Sequence, residues 1–174
     1  MEIKELEIIK YLDAAVNKLG IRKSLDEIIQ RVEKHLEDDK NLTMAWEPIP
    51  LDFYGVDFPE FIKSSWVFIL RKNLITGAER HPNSHQRMMS YRGGGDFQTK
   101  ADSNWQSNFL ESSLDCELNK RWISIPTNVW HQGVVGNENW AVVSFQTVKA
   151  EELIEERPDE KNENNFLRKK YIKN

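Results

Sequence analysis

The sequence predicts a mostly-β domain, a closed or sandwiched antiparallel sheet, preceded by a two-helix segment. Three observations predict it. Residues 3–36 carry apolar side chains at helical spacing. From Trp46 the texture changes: Pro48, Pro50 and Pro59 interrupt the helical period and aromatic residues become frequent. Beyond that point, short runs of branched and aromatic residues alternate with turn formers, the pattern of many short strands.

Residues 1–42 form the helical segment. Ile3, Leu6, Ile9, Leu12, Val16 and Leu19 line one helical face, and Gly20 is placed to end that helix. Ser24 and Glu27 read as a capping box opening a second helix, with a stripe of Leu25, Ile28, Ile29, Val32 and Leu36. Two such stripes cover each other, a barrel face or a partner subunit. His35 stands beside the stripe with no other ligand-type residue around it, and reads as a surface residue.

Residues 43–150 form the β-barrel. Residues 64–72 make an uninterrupted strand of aromatic and branched side chains. Residues 86–92 make another, ended by Gly93, Gly94 and Gly95, which read as a hairpin turn across which residues 97–100 pair back. Residues 101–119 are polar and irregular, with Trp105, Phe109 and Leu110 as buried anchors. Residues 121–125 and 140–148 complete the strand series. Residues 151–174 begin with a short helix over 151–156, stopped by Pro158. A charged tail follows, in which Phe166, Leu167, Tyr171 and Ile172 can dock on a neighbour.

A chain of 174 residues is one domain's length and enough to bury a real core. Its net charge of −4 and pI near 5.7 argue against nucleic acid or an anionic membrane as the main partner. The single cysteine, Cys116, excludes an intramolecular disulfide and fits a reducing compartment. No stretch approaches the ~20 apolar residues of a membrane span, and the N-terminus has no basic-then-apolar export signal, so a cytoplasmic location is expected.

The chemistry gathers in residues 76–95 and 126–131, which hold His81, His85 and His131, three of the four histidines. His81 and His85 are four apart, which on a helix would put both imidazoles on one face. Pro82, Asn83 and Ser84 are turn formers and favour strand–turn–strand instead. On a strand, Glu79 and His81 point the same way. After the turn, His85 or Gln86 can face back toward them, but not both.

These two segments resemble the motifs of the cupin superfamily, the RmlC-like jelly-roll barrels. The family's first motif has two histidines one residue apart, a glutamate three or four residues on, and a glycine after six more. Glu79 and His81 stand at the histidine positions, Gln86 at the glutamate position and Gly93 at the glycine. The second motif has a proline, a glycine two residues on and a histidine three beyond. Here these are Pro126, Asn128 and His131, and asparagine shares glycine's tolerance of positive φ. Glu79 and Gln86 depart from the family's usual ligand types.

The resemblance implies a cupin-like double-stranded β-helix holding a divalent metal: Fe, Mn, Ni, Co or Zn. Its ligands would be Glu79, His81 and His131, with Gln86 fourth and His85 as the alternative. Two imidazoles and one carboxylate suit a divalent ion and leave Lewis acidity for a substrate oxygen or bound water. The function implied is a metal-dependent oxygenase, isomerase or lyase acting on a small polar or carboxylated molecule. The alternative is a metal-free ligand-binding or sensor module, in which Glu79 would pair with His81 or His131 by hydrogen bonding. Arg87 and Trp130 are the further pocket candidates; Arg80, Arg87 and Arg92 alternate through the first motif, and one of them can give a bidentate grip on a carboxylate. Cupin-like proteins commonly pair, so a homodimer is also expected.

Overall fold

In the computed structural model, which describes residues 3–102, 104–159 and 162–172, two antiparallel sheets face each other and two helices cover the outside of one of them. The helices are α1 (Ile3–Val16) and α2 (Leu19–Asp38). The first sheet contains β1 (Met44–Ile49), β2 (Ser64–Leu70), β3 (Gln86–Arg92), β7 (Trp122–Ile125) and β9 (Trp140–Gln146), in the order β1-β2-β9-β3-β7. The second contains β4 (Gly94–Ala101), β5 (Asn104–Gln106), β6 (Phe109–Glu111) and β8 (Trp130–Val135). In it β4 pairs with β8 along one edge and with β5 and β6 along the other.

Strand parity explains why β2 and β9 are buried at every position. Alternate side chains face opposite sides of a strand. Trp66, Phe68, Leu70, Trp140 and Val142 point into the barrel, where they meet Phe97, Leu110 and Val135 of the second sheet. Val67, Ile69, Ala141, Val143 and Phe145 point outward and meet Ile9, Leu12, Val16, Leu25 and Ile29 of the helices. The helical stripes therefore cover a barrel face. Each buried aliphatic side chain contributes roughly 1.5–3 kcal/mol, so Leu25, Ile29, Val32 and Leu36 suffice to hold α2 in place. Two polar anchors fix α1: Glu5 accepts from Arg87 and Ser124, and Asp13 accepts from Arg121 and Trp122.

Several expectations are corrected. The helices break at Asn17 and Lys18, so Gly20 lies in the first turn of α2, where a helix N–H lacks a partner in any case. Ser24 and Glu27 are inside α2 and cap nothing. The three glycines do not make a hairpin, because β3 pairs with β7 and β9 while β4 pairs with β5, β6 and β8. They carry the chain from one sheet to the other. Gly93 has φ 78°, and a Cβ on Gly95 would lie 2.6 Å from the Val134 carbonyl oxygen. Leu110 is a buried anchor, but Trp105 and Phe109 are 38% and 71% exposed.

The chain's last segment differs most from expectation. Only Ala150–Glu152 is helical, as a 3-10 turn, and β10 (Ile154–Asp159) and β11 (Asn162–Lys170) then form a hairpin. The reason lies in cross-strand charge: Glu155 stands opposite Lys169, and Glu156 opposite Arg168. Tyr171 docks on this same chain, against Trp46, Trp66 and Phe68. No helix among the described residues is long and apolar enough to cross a membrane.

Candidate metal centre

Residues 75–81 run beside β8. Glu79 and His131 form an antiparallel bridge, with Glu79 N donating to His131 O at 2.9 Å and His131 N to Glu79 O at 2.8 Å. Directly opposed residues place their side chains on one face. His81, two residues on, shares the parity of Glu79, and its carbonyl accepts from Asn128 N at 3.0 Å. Asn128 has φ 64°, the left-handed conformation that glycine usually supplies at this place in the motif. The turn at Pro82–Ser84 is pinned by Ser84 Oγ donating to Gln146 Oε1 and by Asn83 Oδ1 accepting from Ile154 N.

The outcome is one cluster. The potential ligand atoms of Glu79, His81 and His131 all lie within 4.8 Å of one another. Two ligands on opposite sides of an ion with bonds of ~2.1 Å span about 4.2 Å, so small side-chain rotations would complete a coordination shell. The ring centroids of His81 and His131 are 5.2 Å apart.

Hydrogen bonding sets the tautomers. His81 Nδ1 lies 2.9 Å from the Ile154 carbonyl oxygen, and His131 Nδ1 lies 3.0 Å from that of Val129. A carbonyl only accepts, so each Nδ1 carries a proton, and a ring in its neutral form keeps its lone pair on Nε2. His131 Nε2 is buried and has no hydrogen-bond partner. Burial, followed by the neighbouring His131, lowers the pKa of His81 and favours the neutral ring that a metal ligand requires.

Gln86 completes the picture. Its Nε2 donates to Ser144 Oγ at 3.0 Å, while its Oε1 is buried without a partner. Gln86, Glu79 and His131 line one cavity of about 30 Å³, with Met88, Phe97 and Val142. Two orphaned acceptors and a carboxylate around a space of that size are a donor set for a cation. The residues present therefore fit a divalent metal.

The other sequence candidates lie elsewhere. His85 faces away, with Nε2 2.6 Å from Ser124 Oγ and 3.9 Å from Glu5. Arg87 points toward α1 and binds Glu5 through two nitrogens at 2.7 and 2.8 Å. Trp130 is on the outside of the barrel, with the Arg80 guanidinium 4.6 Å from its ring centroid.

Two site residues escaped the sequence reading. Arg157 of β10 donates to Glu79 Oε2 at 2.5 Å and to Glu155 Oε1 at 2.6 Å. The Tyr171 hydroxyl lies 3.2 and 3.3 Å from the two Glu79 oxygens. Burial alone would raise the Glu79 carboxyl; the positive charge gathered around it, including the Arg157 guanidinium, outweighs that and holds it below the usual carboxylate range. The signal that could have found them is the match of Glu155-Glu156 to Arg168-Lys169-Lys170 across a turn, which marks a hairpin.

No family model matches the sequence, and neither does any curated protein. Solved structures do. The coconut allergen cocosin aligns at 16% identity and a TM-score of 0.47, over 62% of this chain and 27% of that one. Oxalate oxidase in complex with the substrate analogue glycolate aligns at 13% and 0.47, over 61% and 51%. CapF with the inhibitor 3-isopropenyl-tropolone aligns at 12% and 0.48, over 62% and 29%. The chain thus spans between about a quarter and a half of these structures. Its own topology is more telling. A glycine crossing carries the chain from one sheet to the other, and the two motif segments meet at one point between the sheets, an antiparallel architecture consistent with a jelly roll.

Proposed function

We propose that Glu79, His81 and His131 hold a divalent transition metal, with Gln86 as a weaker oxygen donor, and that this centre serves a small polar or carboxylated molecule. The observation that carries the reading is the pair of buried, unpartnered acceptors, His131 Nε2 and Gln86 Oε1, on one small cavity beside a carboxylate. Bound there, the ion supplies a Lewis acid for a substrate oxygen or a water, the common start of oxygenase, isomerase and lyase chemistry. The chain's own residues do the rest. Ile154 and Val129 orient the imidazoles through their carbonyls, and Arg157 and Tyr171 orient the carboxylate. Phe97, Met88 and Val142 exclude bulk water. A cavity of about 30 Å³ admits an ion with one or two water-sized groups, so a larger ligand needs the side chains around it to rearrange.

A second reading has its own support. Arg157 already neutralises Glu79, as expected of a metal-free barrel that binds a small ligand without turnover. Elemental analysis of protein purified without added metal, followed by cobalt(II) titration of the stripped protein, separates the two. Near-stoichiometric metal, and a cobalt absorption band lost in folded His81→Ala and His131→Ala variants, support the metal centre. Metal-free protein with no cobalt affinity overturns it and leaves the second reading.

A further inference from the structure

A cleft of about 330 Å³ opens on the outside of the barrel, between the β10–β11 hairpin and strands β4, β5 and β8. Its charged lining residues are Arg80 and Lys100, both cationic, and no acidic side chain lines it among the described residues. Three aromatic side chains, Trp105, Trp130 and Phe166, supply its walls. The chain as a whole is acidic, with net charge −4, so this cationic and aromatic combination is local.

The Arg80 guanidinium is held in place. It lies 4.6 Å from the Trp130 ring centroid and 5.0 Å from that of Phe166, and its Nε donates to Glu156 Oε2 at 2.7 Å. Glu156 is shared with Arg168, so one buried carboxylate answers two guanidiniums. Lys100 Nζ stands 5.9 Å from the Trp105 ring centroid. Trp105 and Phe166, each 38% exposed, leave aromatic surface open to a ligand. Arg80 points opposite to Glu79 and His81 by strand parity, so the cleft is independent of the metal centre.

We propose that this cleft binds an anionic sugar, a saccharide ring bearing a carboxylate or a phosphate. A guanidinium fork and an ammonium recognise either anion, and tryptophan faces pack against the apolar face of a sugar ring. The volume falls in the range of small-ligand sites.

Tryptophan fluorescence titration of the full chain tests it, with galacturonate, glucose 6-phosphate and neutral glucose as ligands. At least one anion binds and glucose does not. Galacturonate alone assigns a carboxylated sugar, and glucose 6-phosphate alone a phosphorylated one. Lys100→Gln and Trp105→Ala, both at the surface and so compatible with folding, weaken binding about tenfold or more, while His131→Ala retains it whether or not the barrel holds metal. Absence of binding by both anions at millimolar concentration, equal binding of glucose, or wild-type affinity in both cleft variants overturns the proposal.

Discussion

His131 Nε2 stands 3.6 Å from Glu79 Oε1 across an antiparallel bridge, beyond the range of a good hydrogen bond and within reach of a shared ion. The backbone fixes this relationship, since each residue's N–H donates to the other's carbonyl. Side-chain changes around the pair can therefore be made without moving it.

Arg157 is the informative change. It gives Glu79 a counter-charge at 2.5 Å, a role that a bound dication would take over. Arg157→Met should cost the metal-free protein about 1–3 kcal/mol, because a buried carboxylate loses its charged partner. Zinc or cobalt should then restore more stability to the variant than it adds to the wild type. Urea midpoints with and without metal measure both effects.

Tyr171 separates hydrogen bonding from packing. Tyr171→Phe removes the hydroxyl from Glu79 at a cost of about 1 kcal/mol. Tyr171→Ala also empties the space against Trp46, Trp66 and Phe68, at about 3–5 kcal/mol. Chemical denaturation should show this order, with the larger loss in the alanine variant.

Asn128 tests the second motif segment. At φ 64° an alanine is strained by about 1–2 kcal/mol, whereas glycine is at ease. Asn128→Ala should lower the thermal midpoint and Asn128→Gly should leave it nearly unchanged.

Glu5 makes stability depend on pH. Burial would raise its carboxyl, but the hydrogen bonds from Arg87 and Ser124 outweigh that and hold it below its ordinary value. A folded value below the unfolded one, about 4.3, means the stabilisation is complete above that pH. It is lost as pH falls through the folded value. Urea midpoints should drop as pH falls below about 5, and Glu5→Gln should flatten the drop.

The first motif was legible in the sequence because strand parity is a property of spacing alone. Glu79 and His81 had to agree, and the Pro82–Ser84 turn selected Gln86 over His85. The sheet crossing at Gly93 was not legible, because a glycine run ends a strand equally well in a hairpin or at a barrel corner. The distinction depends on partners far along the chain, such as Val143 opposite Met89. Arg157 and Tyr171 stayed hidden for a related reason. A strand that pairs through charges carries no apolar alternation, so β11 resembles a solvated tail until Glu155 and Glu156 are set beside it.

Tyr171 lies 92 residues beyond the Glu79 it touches. On the ribosome, the barrel strands through β9 are all synthesised before Arg157 and Tyr171 exist. A nascent barrel would carry Glu79 with neither its guanidinium nor its phenol, and would acquire them only once residues 157 and 171 have been made. Assembly of the centre thus follows synthesis of all the strands of the two facing sheets and is coupled to docking of the β10–β11 hairpin.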